Sequence, residues 1–73
     1  MNLYKVTCPG FRPERARARS HREAYFQWRS LHGYRKARTL GKPVDYFKMD
    51  FSLVDGELGR VTVRVELLEA GTC

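Results

Sequence analysis

The chain has 73 residues, of which 42% are hydrophobic and 12% aromatic, and it carries a net charge of +6, which fits one small folded domain with a modest core and excludes wholesale disorder. No apolar run approaches the roughly 18 residues that span a bilayer, and Met1 is followed by no apolar leader. Cys8 and Cys73 are not the closely spaced even set of a secreted disulfide scaffold; free thiols in a reducing cytoplasm, and a soluble intracellular protein, are the expectation.

Along the chain, Leu3 to Cys8 alternates, with Tyr4, Val6 and Cys8 on one side and Leu3, Lys5 and Thr7 on the other, and so reads as a first strand. Pro9-Gly10 stops it, and Pro13 argues against pairing just beyond. Phe11 to Arg19, with Arg12, Arg15, Arg17 and Arg19, reads as a mobile basic surface loop. Ser20-x-x-Glu23 is a capping box, which predicts a helix from about His21 to Leu31, ended by Gly33. Ala24, Trp28 and Leu31, flanked by Tyr25 and His32, form its apolar stripe; Arg22 and Arg29 lie off it, and so does Phe26. Tyr34 to Pro43 is a second basic connector.

Val44 to Leu68 then reads as one long hairpin. Phe47, Met49, Phe51 and Leu53 alternate with polar residues, as do Val61, Val63, Val65 and Leu67. A two-residue turn at Asp55-Gly56 would set Phe51 against Arg60. A three-residue loop would oppose Lys48 to Arg64, which cross-strand pairing disfavours. A five-residue loop, Asp55 to Gly59, instead sets Phe51 opposite Val63, Lys48 opposite Glu66 and Asp50 opposite Arg64. The tail 69–73 is expected to fray.

The expected fold is therefore an α+β domain of β-α-β-β order, one helix packed on a three-stranded, mostly antiparallel sheet. Strand three would be central, leaving two open edges, the first strand among them, one of which could accept an added strand from another protein. Basic loops at about 9–19 and 33–43 would be flexible.

Charge is distributed unevenly. Residues 11–42 hold ten Arg and Lys against two acids, whereas residues 43–73 hold three against six. Arginine outnumbers lysine eight to two in the basic part, and guanidinium suits bidentate contacts with carboxylate or phosphate. Two partners compete: a nucleic-acid backbone, with Tyr25, Phe26 and Tyr34 as stacking surfaces, or an acidic protein surface. Cys8, His21, His32 and Cys73 lack metal-site spacing, and no nucleophile grouping, phosphate-cradling loop or apolar carboxylate pair is present. No cofactor, metal or small-molecule substrate is expected, and no enzymatic activity. Trp28, Tyr4, Phe47 and Met49 are expected in the core.

The opening Met-Asn-Leu-Tyr-Lys-Val, the segment Phe-Arg-Pro-Glu-Arg-Ala-Arg-Ala-Arg at 11–19 and the closing hairpin together resemble the small RNA-polymerase-binding transcription regulators of lytic Xanthomonas phages. The resemblance runs over essentially the whole length, in character and opening residues rather than in a portable motif. It implies a protein of the infected bacterial host's cytoplasm that binds RNA polymerase near the N-terminus of its largest subunit. Such a protein inhibits initiation at host promoters and promotes read-through of terminators. Charge and edge exposure point to Leu3, Lys5, Thr7, Arg12, Arg15, Arg17, Arg19 and Arg22 as the contact. The alternative is a small basic module that grips phosphate backbone through its Arg-rich loop.

Overall fold

The structure is a computed structural model, and it describes residues 1–33, 38–55 and 59–71. Five strands and one helix follow in chain order: β1 (Asn2–Thr7), β2 (Glu14–Ala18), α1 (His21–Leu31), β3 (Arg38–Pro43), β4 (Lys48–Asp55) and β5 (Gly59–Glu69). They make one five-stranded sheet of order β2-β1-β5-β4-β3, and every neighbouring pair is antiparallel. The expected three-stranded sheet is thus corrected to five strands.

Both added strands come from segments read as basic loops. Glu14–Ala18 alternates after all: Ala16 packs on the core and Ala18 is fully buried, while Arg15 and Arg17 are exposed. Ala, Arg and Glu are weak strand formers, so the period of two was masked by composition. In β3, Gly41 and Pro43 read as breakers, yet both fit an edge strand, where a missing N–H on the open side breaks no ladder. Gly41 leaves room there for its neighbours, since a Cβ would lie 3.0 Å from Met49 Cε and 3.0 Å from Phe51 Cε1.

The hairpin register is as expected. Lys48 faces Glu66, Asp50 faces Arg64, Phe51 faces Val63 and Leu53 faces Val61, and the Leu67 N–H donates to the Phe47 carbonyl at 2.7 Å. Pairing continues to Asp55 and Gly59; residues 56–58 of the predicted loop lie outside the described residues. β5 is the central strand, between β1 and β4. Leu3 faces Glu69 while Tyr4 faces Leu67, so Leu68 is an extra residue that bulges β5 at the end of its pairing with β1. Glu69 therefore belongs to the sheet, and the Gly71 N–H donates to Asn2 Oδ1 at 2.7 Å. The expected fraying does not begin at residue 69.

One face of the sheet is covered by α1. Ser20 caps it, its Oγ accepting the Glu23 N–H at 3.1 Å, and Gly33 ends it at φ 82°. The core joins Tyr4, Val6 and Cys8 of the first segment to Ala24, Tyr25 and Trp28 of the helix and to Phe51, Leu53, Val63 and Val65 of the hairpin. Each large apolar side chain buried there contributes roughly 1.5–3 kcal/mol. Two expectations of the core are corrected. Leu31 is 75% exposed because the helix rolls so that His21, Tyr25, Trp28 and His32 face the sheet, and Phe47 is 54% exposed because it lies just ahead of β4 rather than within it. Both histidines are tethered: His21 Nε2 lies 2.8 Å from the Phe47 carbonyl, to which it donates, and His32 Nε2 lies 2.6 Å from Glu14 Oε2.

Candidate docking surface

The face that α1 leaves open is written by the outward residues of all five strands. Cross-strand partners share a face, so the register gives rows of side chains across it. In one row Arg15 of β2 neighbours Lys5 of β1, then Glu66 of β5 and Lys48 of β4. In the next, Thr7 neighbours Arg64, then Asp50, then Lys42 of β3. Leu3 sits beside Arg17 at the end of the sheet nearest the N-terminus.

These rows neutralise themselves at the centre and not at the β2 side. Arg64 makes a two-pronged contact with Asp50, Nε to Oδ1 at 2.8 Å and Nη2 to Oδ2 at 3.1 Å. Hydrogen bonding to Arg64 holds the Asp50 carboxyl below its ordinary range against the opposing effect of burial, and the same contact raises the Arg64 guanidinium. Glu66 lies between Lys5 and Lys48. Among the described residues, by contrast, Arg12, Arg15, Arg17, Arg19 and Arg22 pair with no acid; the acids that do have a basic partner are Asp50, with Arg64, and Glu14, with the His32 imidazole.

The structure therefore divides the expected contact residues. Arg15 and Arg17 form an exposed ridge on an edge strand, joined on the same face by Leu3 and Lys5, which are partly buried. Thr7 shares the face but sits beside Arg64. Arg12 precedes β2, and Arg19 lies between β2 and α1, where it lines a shallow depression with Met1, Asn2 and Gly71. Arg22 is on the helix, on the opposite side of the sheet, and does not join the ridge. β1 is not an edge, and neither is β4: each is paired on both sides, so neither of the two edges expected to accept an added strand is open. The free edges are those of β2 and β3.

Sequence reasoning missed a groove on the helix side of β2. Its volume is about 220 Å³, and Val6, Ala16, Trp28 and Leu31 line it together with Glu14, Arg15 and Gln27. At one end the Glu14–His32 pair ties β2 to the end of the helix, with the Phe11 and Trp28 rings packed against the imidazole at centroid distances of 4.9 and 4.7 Å. Further along, Gln27 Nε2 donates to the Arg17 carbonyl at 3.3 Å. The signal for this groove was the alanine alternation in β2 together with an apolar residue, Leu31, that the helix does not bury.

Tyr25 is in the core, which removes it as a stacking surface; Phe26 is 40% exposed, with the Arg29 guanidinium 5.2 Å from its ring centre. Tyr34 and Cys73 lie outside the described residues. Burial raises the Cys8 thiol above its ordinary range. Among the described residues, no three His, Cys, Asp or Glu side chains gather as a metal site, and no helix is long and apolar enough to cross a membrane. No protein-family model matches the chain, and comparison with curated proteins and with solved structures found no match.

Proposed function

We propose that the chain is a phage-encoded, non-enzymatic transcription regulator that binds the RNA polymerase of its bacterial host, inhibits initiation at host promoters and promotes terminator read-through. The identity of the partner comes from the resemblance of residues 1–6, 11–19 and the hairpin to such regulators. The observation that supports docking is the ridge of Arg15 and Arg17: two guanidinium groups on one strand with no acid among the described residues within salt-bridge reach. Fixed arginines lose less conformational freedom on meeting carboxylates than arginines on a loose loop. The complementary surface is acidic.

Capture on the tagged full chain from nuclease-treated bacterial lysate tests this reading. Recovery of the polymerase subunits, with loss of recovery for the Arg15→Glu/Arg17→Glu double variant, is the expected result. Equal recovery with both chains removes the ridge from the contact, and no polymerase at all removes the reading.

A direct nucleic-acid reading draws on the rest of the open face, where Lys5, Lys48 and Lys42 accompany the ridge. Its aromatic stacking partners are weak, since Tyr25 is buried. Binding to duplex DNA that falls steeply between 50 and 200 mM salt would favour it; negligible binding at physiological salt would remove it.

A further inference from the structure

The outer edge of β2 carries three features that fit one ligand. The first is its backbone. Antiparallel residues alternate between facing their partner strand and facing away, and the Arg17 carbonyl faces away from β1, because it accepts the Gln27 amide. Arg15, two residues earlier in the same strand, faces away too. The N–H and C=O groups of Arg15 and Arg17 therefore form an open half-ladder. The second is the groove beside it, floored by Ala16 and Trp28 with Leu31 exposed on its rim. The third is charge, since the Arg15 and Arg17 side chains are exposed on the sheet face away from α1, Arg15 also bordering the groove, and among the described residues neither makes a salt bridge.

We infer that the β2 edge takes an extended segment of a partner protein as a sixth strand. Acidic side chains of that segment lie against Arg15 and Arg17, and an alternate apolar side chain rests on Ala16, Trp28 and Leu31. A strand has period two, so one face of the segment meets the arginines and the other meets the groove; the recognised pattern is acidic–apolar alternation. Gln27 holds the place that the N–H of the added strand would take, and the incoming backbone displaces it.

The β3 edge is a poorer host. The Val44 N–H donates to the Lys48 carbonyl, so by parity Thr39, Gly41 and Pro43 face outward, and Pro43 has no N–H to give. Its neighbour on the open face, Lys42, already stands across from Asp50. The nearby depression is lined by Thr39, Ser52 and Arg60 as well as Leu40 and Val54, and no buried aromatic floors it. A second copy of this chain is disfavoured at β2, since it would set arginine against arginine.

The inference rests on the docking reading above only for the partner's identity, and the two are tested apart. Isotope-labelled full chain is titrated with acetylated seven-residue peptides of the pattern acid–apolar–acid–apolar–acid–apolar–acid, with Leu, Ile, Val, Phe or Met at the apolar places. Reversed-charge lysine peptides and scrambled peptides serve as controls. The expected result is saturable amide shifts confined to β2, Gln27, Trp28 and Leu31, with slowed hydrogen exchange at Arg15 and Arg17, for at least one acidic peptide and no control. Arg15→Pro removes an outward N–H without breaking a β1–β2 bond, and with Leu31→Asp it should weaken binding at least tenfold. Gln27→Ala, which frees the carbonyl, should bind as well as the parent or better. No shifts at millimolar peptide, or shifts centred on β3 or on the open face alone, overturn the inference. If peptides bind at β2 while no polymerase is captured from lysate, the sixth-strand site stands and the polymerase reading falls. If no peptide binds at β2 and polymerase is captured equally by the parent and by the Arg15→Pro and Leu31→Asp variants, the polymerase reading stands and the sixth-strand site falls.

Discussion

The Tyr25 ring lies flat against Phe51, with centroids 4.2 Å apart and planes 6° from parallel, so one side chain of the helix is stacked on the middle of the hairpin. The Tyr25 hydroxyl continues to Thr39 Oγ1 at 2.7 Å, and Thr39 Oγ1 also accepts from Arg29 Nη1 at 2.9 Å. Helix, central hairpin and edge strand β3 meet at this one point. That contact adds to the six-residue pairing with β4 in holding β3, although the sequence of β3 is rich in turn-forming residues.

Tyr25→Phe keeps the stack and loses the hydroxyl contact, so it should cost about 0.5–1.5 kcal/mol. Phe51→Ala removes a fully buried ring and should cost about 3–5 kcal/mol. Urea unfolding of the two variants against the parent measures both, and a larger loss for Tyr25→Phe than for Phe51→Ala would contradict the arrangement.

Trp28 and Leu31 were placed on one stripe by their spacing, and the structure separates them. Trp28→Ala should cost about 3–5 kcal/mol, whereas Leu31→Lys should stay within about 0.5 kcal/mol of the parent. Thermal unfolding followed by circular dichroism distinguishes the two.

That separation shows where the sequence was legible. Spacing alone gave the capped helix, its bounds and the register of the β4–β5 pair, because charge pairing across Lys48–Glu66 and Asp50–Arg64 admits one alignment. It did not reveal β2, whose inward residues are alanines and whose outward residues are arginines, a composition shared with basic loops. Nor did it reveal β3, which is held by its pairing with β4 and by Tyr25 and Arg29 through Thr39 rather than by its own propensity. Missing β2 turned β1 from an interior strand into an apparent edge. The expected contact at Arg15 and Arg17 was thus legible as charge, while its setting on a strand edge beside an apolar groove was not.

Gly41 makes room for Phe51. Gly41→Val should overpack the Tyr25–Phe51 stack and cost about 1–3 kcal/mol, with a smaller loss for Gly41→Ala; unfolding midpoints in urea check the order.

Asp50 contributes a pH dependence. Its carboxyl is held below its ordinary range in the folded state by Arg64, so its stabilisation is present above the unfolded carboxylate range, near pH 4, and is lost as pH falls through the lower folded value. Both groups are solvent-accessible, and screening keeps the effect small. The stability difference between the parent and Asp50→Asn should shrink as pH is lowered from 7 to 2, read from unfolding midpoints at each pH. A difference that grows on acidification would contradict the pairing.

The ridge of Arg15 and Arg17 is the centre of the account, and its affinity for purified RNA polymerase is the measurement that tests it most directly. The parent chain and Arg15→Glu/Arg17→Glu, matched for fold by circular dichroism, are titrated against the purified enzyme without nucleic acid. At least a tenfold loss of affinity, about 1.4 kcal/mol, is expected for the double variant, with stability unchanged. Equal affinities of the two chains would contradict it.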